Sequence, residues 1–230
     1  MINKIIPAVR TENITYAVRD IVVLANQVAK TGKEMLYLNI GDPNLYDFVP
    51  PKHLVDATYQ AMLKNLNGYA PSSGIGEAVK AIEAEAERKG IKNVHDIFVT
   101  TGASEAIDIC LTALVNDGEN VLTPTPGYPL YTAIASKLQM MENPYYLDES
   151  NGWLPDIQDI KSKINDKTKA IVLINPNNPT GSLYTKENLQ QIVDLALEHN
   201  LVIFADEIYD KLLFDGKKHI SIASLNKDVS

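Results

Sequence analysis

Cysteine, histidine, positive charge and long apolar runs are all scarce in this chain of 230 residues. The one cysteine, Cys110, excludes an internal disulfide framework. The longest uninterrupted apolar runs, such as residues 21–25 and 201–205, are far shorter than the roughly 20 residues that a membrane span needs. The opening residues Met1-Ile2-Asn3-Lys4-Ile5-Ile6-Pro7 have too short an apolar stretch for a signal peptide and no small-residue cleavage site. A soluble, cytoplasmic protein is the expectation. Lys plus Arg number 21 against 29 for Asp plus Glu, a formal net charge of −8. The densest basic spot is Lys217-Lys218, so neither nucleic acid nor a membrane surface is an expected partner. His53, His95, His199 and His219 are scattered without metal-ligand spacing, and no metal is expected. Neither a Gly-x-Gly-x-x-Gly dinucleotide fingerprint nor a P-loop occurs, which argues against NAD and ATP sites.

The chain does hold the apolar content of an ordinary globular protein, 45% hydrophobic and 22% charged, in a length suited to one large domain or one and a half. No internal repeat is visible. Short apolar runs alternate with longer amphipathic stretches, the pattern of βαβ units and a mostly parallel sheet with helices on both faces. A helix is predicted over 14–30 and a short strand over 36–40, stopped by the turn cluster Gly41-Asp42-Pro43-Asn44. Helices follow over 52–65, opened by Pro50-Pro51, and over 77–89, where Ala78, Ile82 and Ala86 share one face. Four further segments repeat one design, a strand followed by a polar or glycine-rich turn. The strands are 96–100, 120–123, 169–174 and 201–205, with helices starting near 105, after 129 and near 186. An extra strand is possible over 140–147. The unusual residues fall just past the carboxyl ends of these strands, the crevice in which open α/β sheets bind ligands.

Four groups could carry chemistry. Thr101-Gly102-Ala103-Ser104 joins a strand to a helix, where unpaired N–H groups hold phosphate; the alternative is a plain turn with Ser104 as the helix cap. Asn175-Pro176-Asn177-Asn178-Pro179-Thr180-Gly181 packs more stiff, polar chemistry than a turn requires, and a side-chain amide held there is a well-placed donor. Asp206 directly follows an apolar strand, a costly place for a carboxylate unless a cation pairs with it, and Tyr209 puts a phenol nearby; the alternative is an Asp capping the next helix. Tyr128, between Gly127 and Pro129, offers a flat ring on a constrained loop or packs into the core.

In this order, a phosphate turn, an aromatic loop, an Asn loop and Asp-x-x-Tyr resemble the fold-type-I pyridoxal-phosphate aminotransferases of class I/II. The residues bearing the resemblance are Gly41-Asp42-Pro43, Tyr69-Ala70-Pro71-Ser72-Ser73-Gly74, residues 101–105, Pro126-Gly127-Tyr128-Pro129, Asn177-Asn178-Pro179-Thr180-Gly181 and Asp206-Glu207-Ile208-Tyr209. Within that family the chain is most similar to microbial alanine aminotransferases, through Tyr16-Ala17-Val18-Arg19-Asp20, Leu38-Asn39-Ile40-Gly41-Asp42-Pro43 and residues 174–181.

The resemblance implies the cofactor pyridoxal 5′-phosphate and transfer of an amino group between an L-amino acid, alanine foremost, and a 2-oxo acid. It implies that Asp206 pairs with the ring nitrogen, which favours its protonated form, that Asn178 and Tyr209 donate to the ring's phenolate oxygen, and that Tyr128 stacks on the ring. Ala103 and Ser104 would hold the phosphate, mainly through backbone N–H. Gly41, with Asn178, would meet the substrate, and Tyr69 would cross to the cofactor of a dimer partner, so a homodimer is implied. A carbon–sulfur lyase would use the same cofactor groups. Residues 1–45 would form an N-terminal helix and part of a small domain, and residues 46–230 a cofactor-binding large domain.

The family also implies a Schiff-base lysine on a later strand, usually right after a serine. Ser136-Lys137 and Ser162-Lys163 come too early in the order and read as exposed helical charges, and Lys227 follows no apolar strand. The sequence reaches Ser230 without a lysine in the required setting, so the catalytic lysine is expected beyond Ser230 and no catalytic residue within the chain. The expectation is therefore a truncated fragment, or half of a split enzyme, that is inactive alone. Two strands later in sequence would lie between segments 97–100 and 201–205, so both would lack a neighbour here. Elsewhere, Cys110 is expected as a buried core thiol, residues 83–89 as a solvated helix face, and Trp153 as a loop anchor.

Overall fold

Strand residues that alternate between two apolar faces build the centre of the molecule. In the computed structural model, which describes residues 6–11, 14, 17–38 and 41–226, the strands are β1 (Asn120–Thr125), β2 (Met141–Asp148), β3 (Leu154–Pro155), β4 (Thr168–Ile174) and β5 (Val202–Asp206). They form one sheet in the order β3-β2-β1-β4-β5. β1 pairs in parallel with β2 and β4, β4 pairs in parallel with β5, and the short β3 runs antiparallel to β2.

The helices are α1 (Ala17–Ala29), α2 (Lys52–Leu63), α3 (Gly76–Arg88), α4 (Ala103–Leu114), α5 (Pro129–Lys137), α6 (Ile157–Lys163) and α7 (Lys186–Glu198). Leu122, Ile171, Leu173 and Ile203 turn one way, into a cluster with Ile160 of α6 and Leu189, Ile192 and Val193 of α7. Val121, Ala170, Val172 and Ile174 turn the other way, against Ile107 and Leu111 of α4 and Tyr131 and Ile134 of α5. This two-sided burial is what a parallel sheet requires, and it places helices on both faces as expected.

The buried apolar side chains among the described residues run from Ile107 to Ile222. Helices α2 and α3 bury none. Their amphipathic character is real, but the surface they would cover is not part of this core.

Two predicted strands are not found among the described residues. Leu36, Tyr37 and Leu38 are exposed and carry no strand pairing, and Asn39 and Ile40 lie outside the described residues, as do Tyr16, Lys227 and the terminal Ser230. Residues 96–100 join no ladder; Phe98 is 63% exposed and Val99 N–H donates to Ser73 O at 2.9 Å. Among the described residues no strand adjoins this segment, and an apolar run without a neighbour has no ladder to join.

Cys110 is likewise exposed rather than buried. Its face of α4 fronts an apolar groove shared with Phe204 and Ala205 of β5, and no described strand fills it.

Candidate active site

The carboxyl ends of β4 and β5 are held together by main-chain bonding, and the site is built on that junction. Ile174 and Asp206 are register partners, and Asn175 N–H donates to Asp206 O at 2.9 Å. The Asn loop that follows β4 is braced from within. Asn175 Oδ1 accepts Tyr184 N–H at 3.0 Å; Asn177 Oδ1 accepts Thr180 Oγ1 at 2.9 Å and Thr180 N–H at 3.2 Å. Asn177 N–H donates to Ser182 O and Gly181 N–H to Asn177 O. Asn175 and Asn177 are buried and brace the loop through their Oδ1 atoms, which leaves Asn178, half-buried, as the loop amide outside that bracing. The spacing of two prolines and three asparagines thus divides the labour: two amides hold the loop and one faces the cleft.

A cleft of about 230 Å³ lies there, lined by Ala103, Ser104, Ile107, Tyr128, Ile174, Asn178, Asp206, Ile208 and Tyr209. Three separate turns after β1, β4 and β5, and the N-terminus of α4, deliver these side chains to one place. Gly102 precedes α4 at φ +76, a left-handed backbone that suits glycine, and no side chain caps the helix. Ser104 therefore is not the cap, and Ala103 and Ser104, in the first turn where helix N–H groups lack intrahelical partners, line the cleft. Nor does Asp206 cap a helix: a turn, not a helix, follows it, and Asp206 Oδ1 accepts Ile208 N–H at 3.3 Å.

Tyr128 is the residue before α5, with Pro129 in the first turn fixing the chain direction. Gly127 is required by close approach, since an added Cβ would collide with the Pro124 carbonyl oxygen. Gly41 and Tyr69 do not line the cleft; Tyr69 projects fully into solvent at 110% exposure. Among the described residues, which exclude Lys227 and Ser230, no lysine lines it either. Lys137 pairs with Asp108 at 2.7 Å and Lys163 with Asp159 at 2.7 Å, so both serine–lysine pairs sit in helical ion pairs elsewhere.

Two features escape a reading of the sequence. Tyr131, 3% exposed, donates its hydroxyl to Asp206 Oδ2 at 2.9 Å. Burial first, and the Asp206 charge second, push the phenol well above its ordinary range, so it stays a donor. Its spacing from Tyr128, one helical turn, is the available signal. His219, with a side chain 7% exposed, puts Nε2 3.1 Å from Asn175 O, to which it can only donate. Glu207 joins the same junction: Oε1 accepts Ile222 N–H at 3.2 Å, and Oε2 accepts Lys89 Nζ at 3.2 Å. Lys89 also meets Asp210 at 2.7 Å, so the end of α3 is ion-paired to the β5 turn rather than simply solvated.

The donor set suits a ligand with an anionic end and a basic ring nitrogen. Free helix N–H groups and a hydroxyl fit a phosphate, a carboxylate fits a protonated ring nitrogen, and an amide and a phenol fit an oxygen substituent. Pyridoxal 5′-phosphate has these groups, so the residues present fit it.

The family model "Aminotransferase class I and II" matches residues 33–230. A glutamate-pyruvate aminotransferase AlaA from Haemophilus influenzae is 45% identical over 227 residues, covering 96% of this chain and 55% of its own length. The AlaA of Escherichia coli K12 is 43% identical over 224 residues, with the same coverages. An alanine aminotransferase structure from Pyrococcus furiosus superposes with a TM-score of 0.90 at 40% identity, covering 97% of this chain and 57% of that one. The chain thus spans about half the length of the curated relatives it matches. It belongs to the class I and II aminotransferases.

Proposed function

We propose that these residues form the cofactor-binding part of a pyridoxal 5′-phosphate-dependent aminotransferase that moves an amino group between an L-amino acid, alanine foremost, and a 2-oxo acid. The observation that carries the proposal is the convergence of Ala103, Ser104, Tyr128, Asn178, Asp206 and Tyr209 on one cleft. The alanine assignment rests on the names of the AlaA relatives and of the Pyrococcus furiosus alanine aminotransferase.

Ala103 and Ser104 hold the phosphate at the N-terminus of α4. Asp206 holds a proton on the ring nitrogen, and Asn178 and Tyr209 hold the ring oxygen. Tyr128 covers the ring and keeps water from it. Bound there, the cofactor supplies an electron sink for the substrate's α-carbon. Turnover further needs a Schiff-base lysine, and among the described residues none lines the cleft. Residues 1–45 as an N-terminal arm, and Gly41 as a substrate contact, belong to the same reading.

A homodimer is part of the proposal as well, with Tyr69 reaching the partner's cofactor. Exposed Ile21, Val23, Leu24 and Leu45 of the N-terminal part support an apolar interface there. A cytoplasmic setting rests on the single cysteine.

Fluorescence titration with pyridoxamine 5′-phosphate, which needs no lysine, tests the site. The chain is expected to bind saturably, and Asp206→Ala to weaken binding by about 10–100-fold, the worth of a charged hydrogen bond. Absence of saturable binding, or equal binding by Asp206→Ala, overturns the proposal.

A further inference from the structure

Asp206 lines two hollows at once. One is the cleft described above; the other is the apolar groove behind it, lined by Tyr131, Phe204 and Cys110 among others. Of these two, Tyr131 lines only the groove. Its hydroxyl donates to Asp206 Oδ2 at 2.9 Å without itself lining the cleft. We propose that Tyr131 is a positioning residue, which turns the Asp206 carboxylate towards the ring nitrogen through the hydroxyl bond to Oδ2.

Geometry carries the assignment. The bond is 2.9 Å long, whereas the main-chain N–H of Ile208 reaches Oδ1 at a longer 3.3 Å. The shorter bond to a charged acceptor fixes the carboxylate's rotation more firmly. Tyr131 itself has little freedom: it is 3% exposed, packs in the cluster with Ile107, Leu111 and Val172, and sits in the first turn of α5. A phenol hydroxyl donating to Oδ2 sets which way the carboxylate faces. Tyr128 stands immediately before that turn. The start of one short helix thus delivers the ring that covers the cofactor and the hydroxyl that sets the acid against it.

The inference rests on the cofactor reading, and the test separates the two. Tyr131→Phe keeps the ring and removes the donor. Two probes are titrated against the wild-type chain and the variant: pyridoxamine 5′-phosphate, and its carbocyclic analogue with C–H in place of the ring nitrogen. Tyr131→Phe is expected to bind the pyridine probe about tenfold more weakly and the carbocyclic probe within about twofold of wild type. In an Asp206→Asn background Tyr131→Phe is expected to change neither affinity, because the effect runs through the carboxylate. Should Tyr131→Phe disturb folding, para-aminophenylalanine at the same position keeps an N–H donor and is expected to retain the preference for the pyridine probe. Equal losses for both probes indicate packing alone and overturn the assignment; so does an unchanged ratio. A wild-type chain that binds neither probe overturns the cofactor reading first, and this inference with it.

Discussion

The main-chain N–H of Asn175 donates to the carbonyl of Asp206 at 2.9 Å, one step beyond the Ile174–Asp206 register pair. Two parallel strands therefore end in step, and the loops leaving them start from a fixed separation. An amide on one loop and a carboxylate on the other can then face a common ligand without either loop being rigid on its own. His219 adds to the lock by donating to the Asn175 carbonyl.

Asn175→Ala tests this junction. Asn175 is 4% exposed, and its Oδ1 is the acceptor for Tyr184 N–H. Removing it strands a buried donor, at a cost of about 1–3 kcal/mol. Urea denaturation is expected to show that loss, with weaker binding of pyridoxamine 5′-phosphate as the loop loosens. A loss below about 0.5 kcal/mol, the scale of an ordinary surface substitution, contradicts the assignment.

Gly127→Ala probes the turn that carries Tyr128. The new methyl group would meet the Pro124 carbonyl oxygen, which is backbone and cannot rotate away. The chain between Pro124 and Tyr128 must shift, costing about 1–3 kcal/mol as overpacking does. Melting temperature and probe affinity are both expected to fall. An alanine variant with wild-type stability would show that the turn is looser than its geometry indicates.

Much of this is legible in the sequence alone. The strands 120–123, 169–174 and 201–205 read correctly because each is an apolar run flanked by turn residues, and each has a neighbour in the sheet. Segment 96–100 reads the same way and fails, because strand formation is a property of pairs and the segment carries no information about its partner. Cys110 departs from expectation for a related reason: helix α4 is largely apolar, and only the tertiary arrangement decides which side is covered. Asp206, Asn178 and Tyr128 stand out through their local context. Tyr131 and His219 do not, since their role is a contact across 75 and 44 residues of chain. Periodicity reports a helix face, not what that face will touch.

Lys89 gives a pH dependence of known sign. It lies between Glu207 at 3.2 Å and Asp210 at 2.7 Å. Burial acts to lower its pKa, but the two carboxylates outweigh that and raise it above the ordinary 10.5. The charged form is thus favoured more in the folded chain than in the unfolded one. Its stabilisation is complete below the unfolded value and is lost as pH rises through the folded one. Melting temperature is expected to decline above pH 10.5, and Lys89→Met to flatten that alkaline limb. At neutral pH the same variant leaves two facing carboxylates, a cost of about 1–2 kcal/mol for a partly buried pair. An alkaline limb identical in Lys89→Met and wild type assigns the transition to other groups.

β5 makes the last prediction. It pairs with β4 on one side, and among the described residues no strand pairs with the other. Strands of parallel sheets are normally enclosed, yet Val202 is 41% exposed and the groove beyond the edge is floored by apolar side chains. An uncovered edge of this kind templates pairing with another chain. The chain is expected to associate as its concentration rises, with Cys110 reporting on the process: its thiol, open in the groove, reacts with a disulfide reagent in the dispersed chain and more slowly as association covers the edge. Val202→Lys places a charge on the exposed edge, which natural sheets use to prevent such pairing, and is expected to raise the onset of light scattering several-fold in concentration. Scattering that is indifferent to Val202→Lys, or Cys110 reactivity that does not follow it, locates the association on the exposed apolar side chains of α1 and α2 instead, where Val23, Leu24, Leu54 and Val55 stand in solvent.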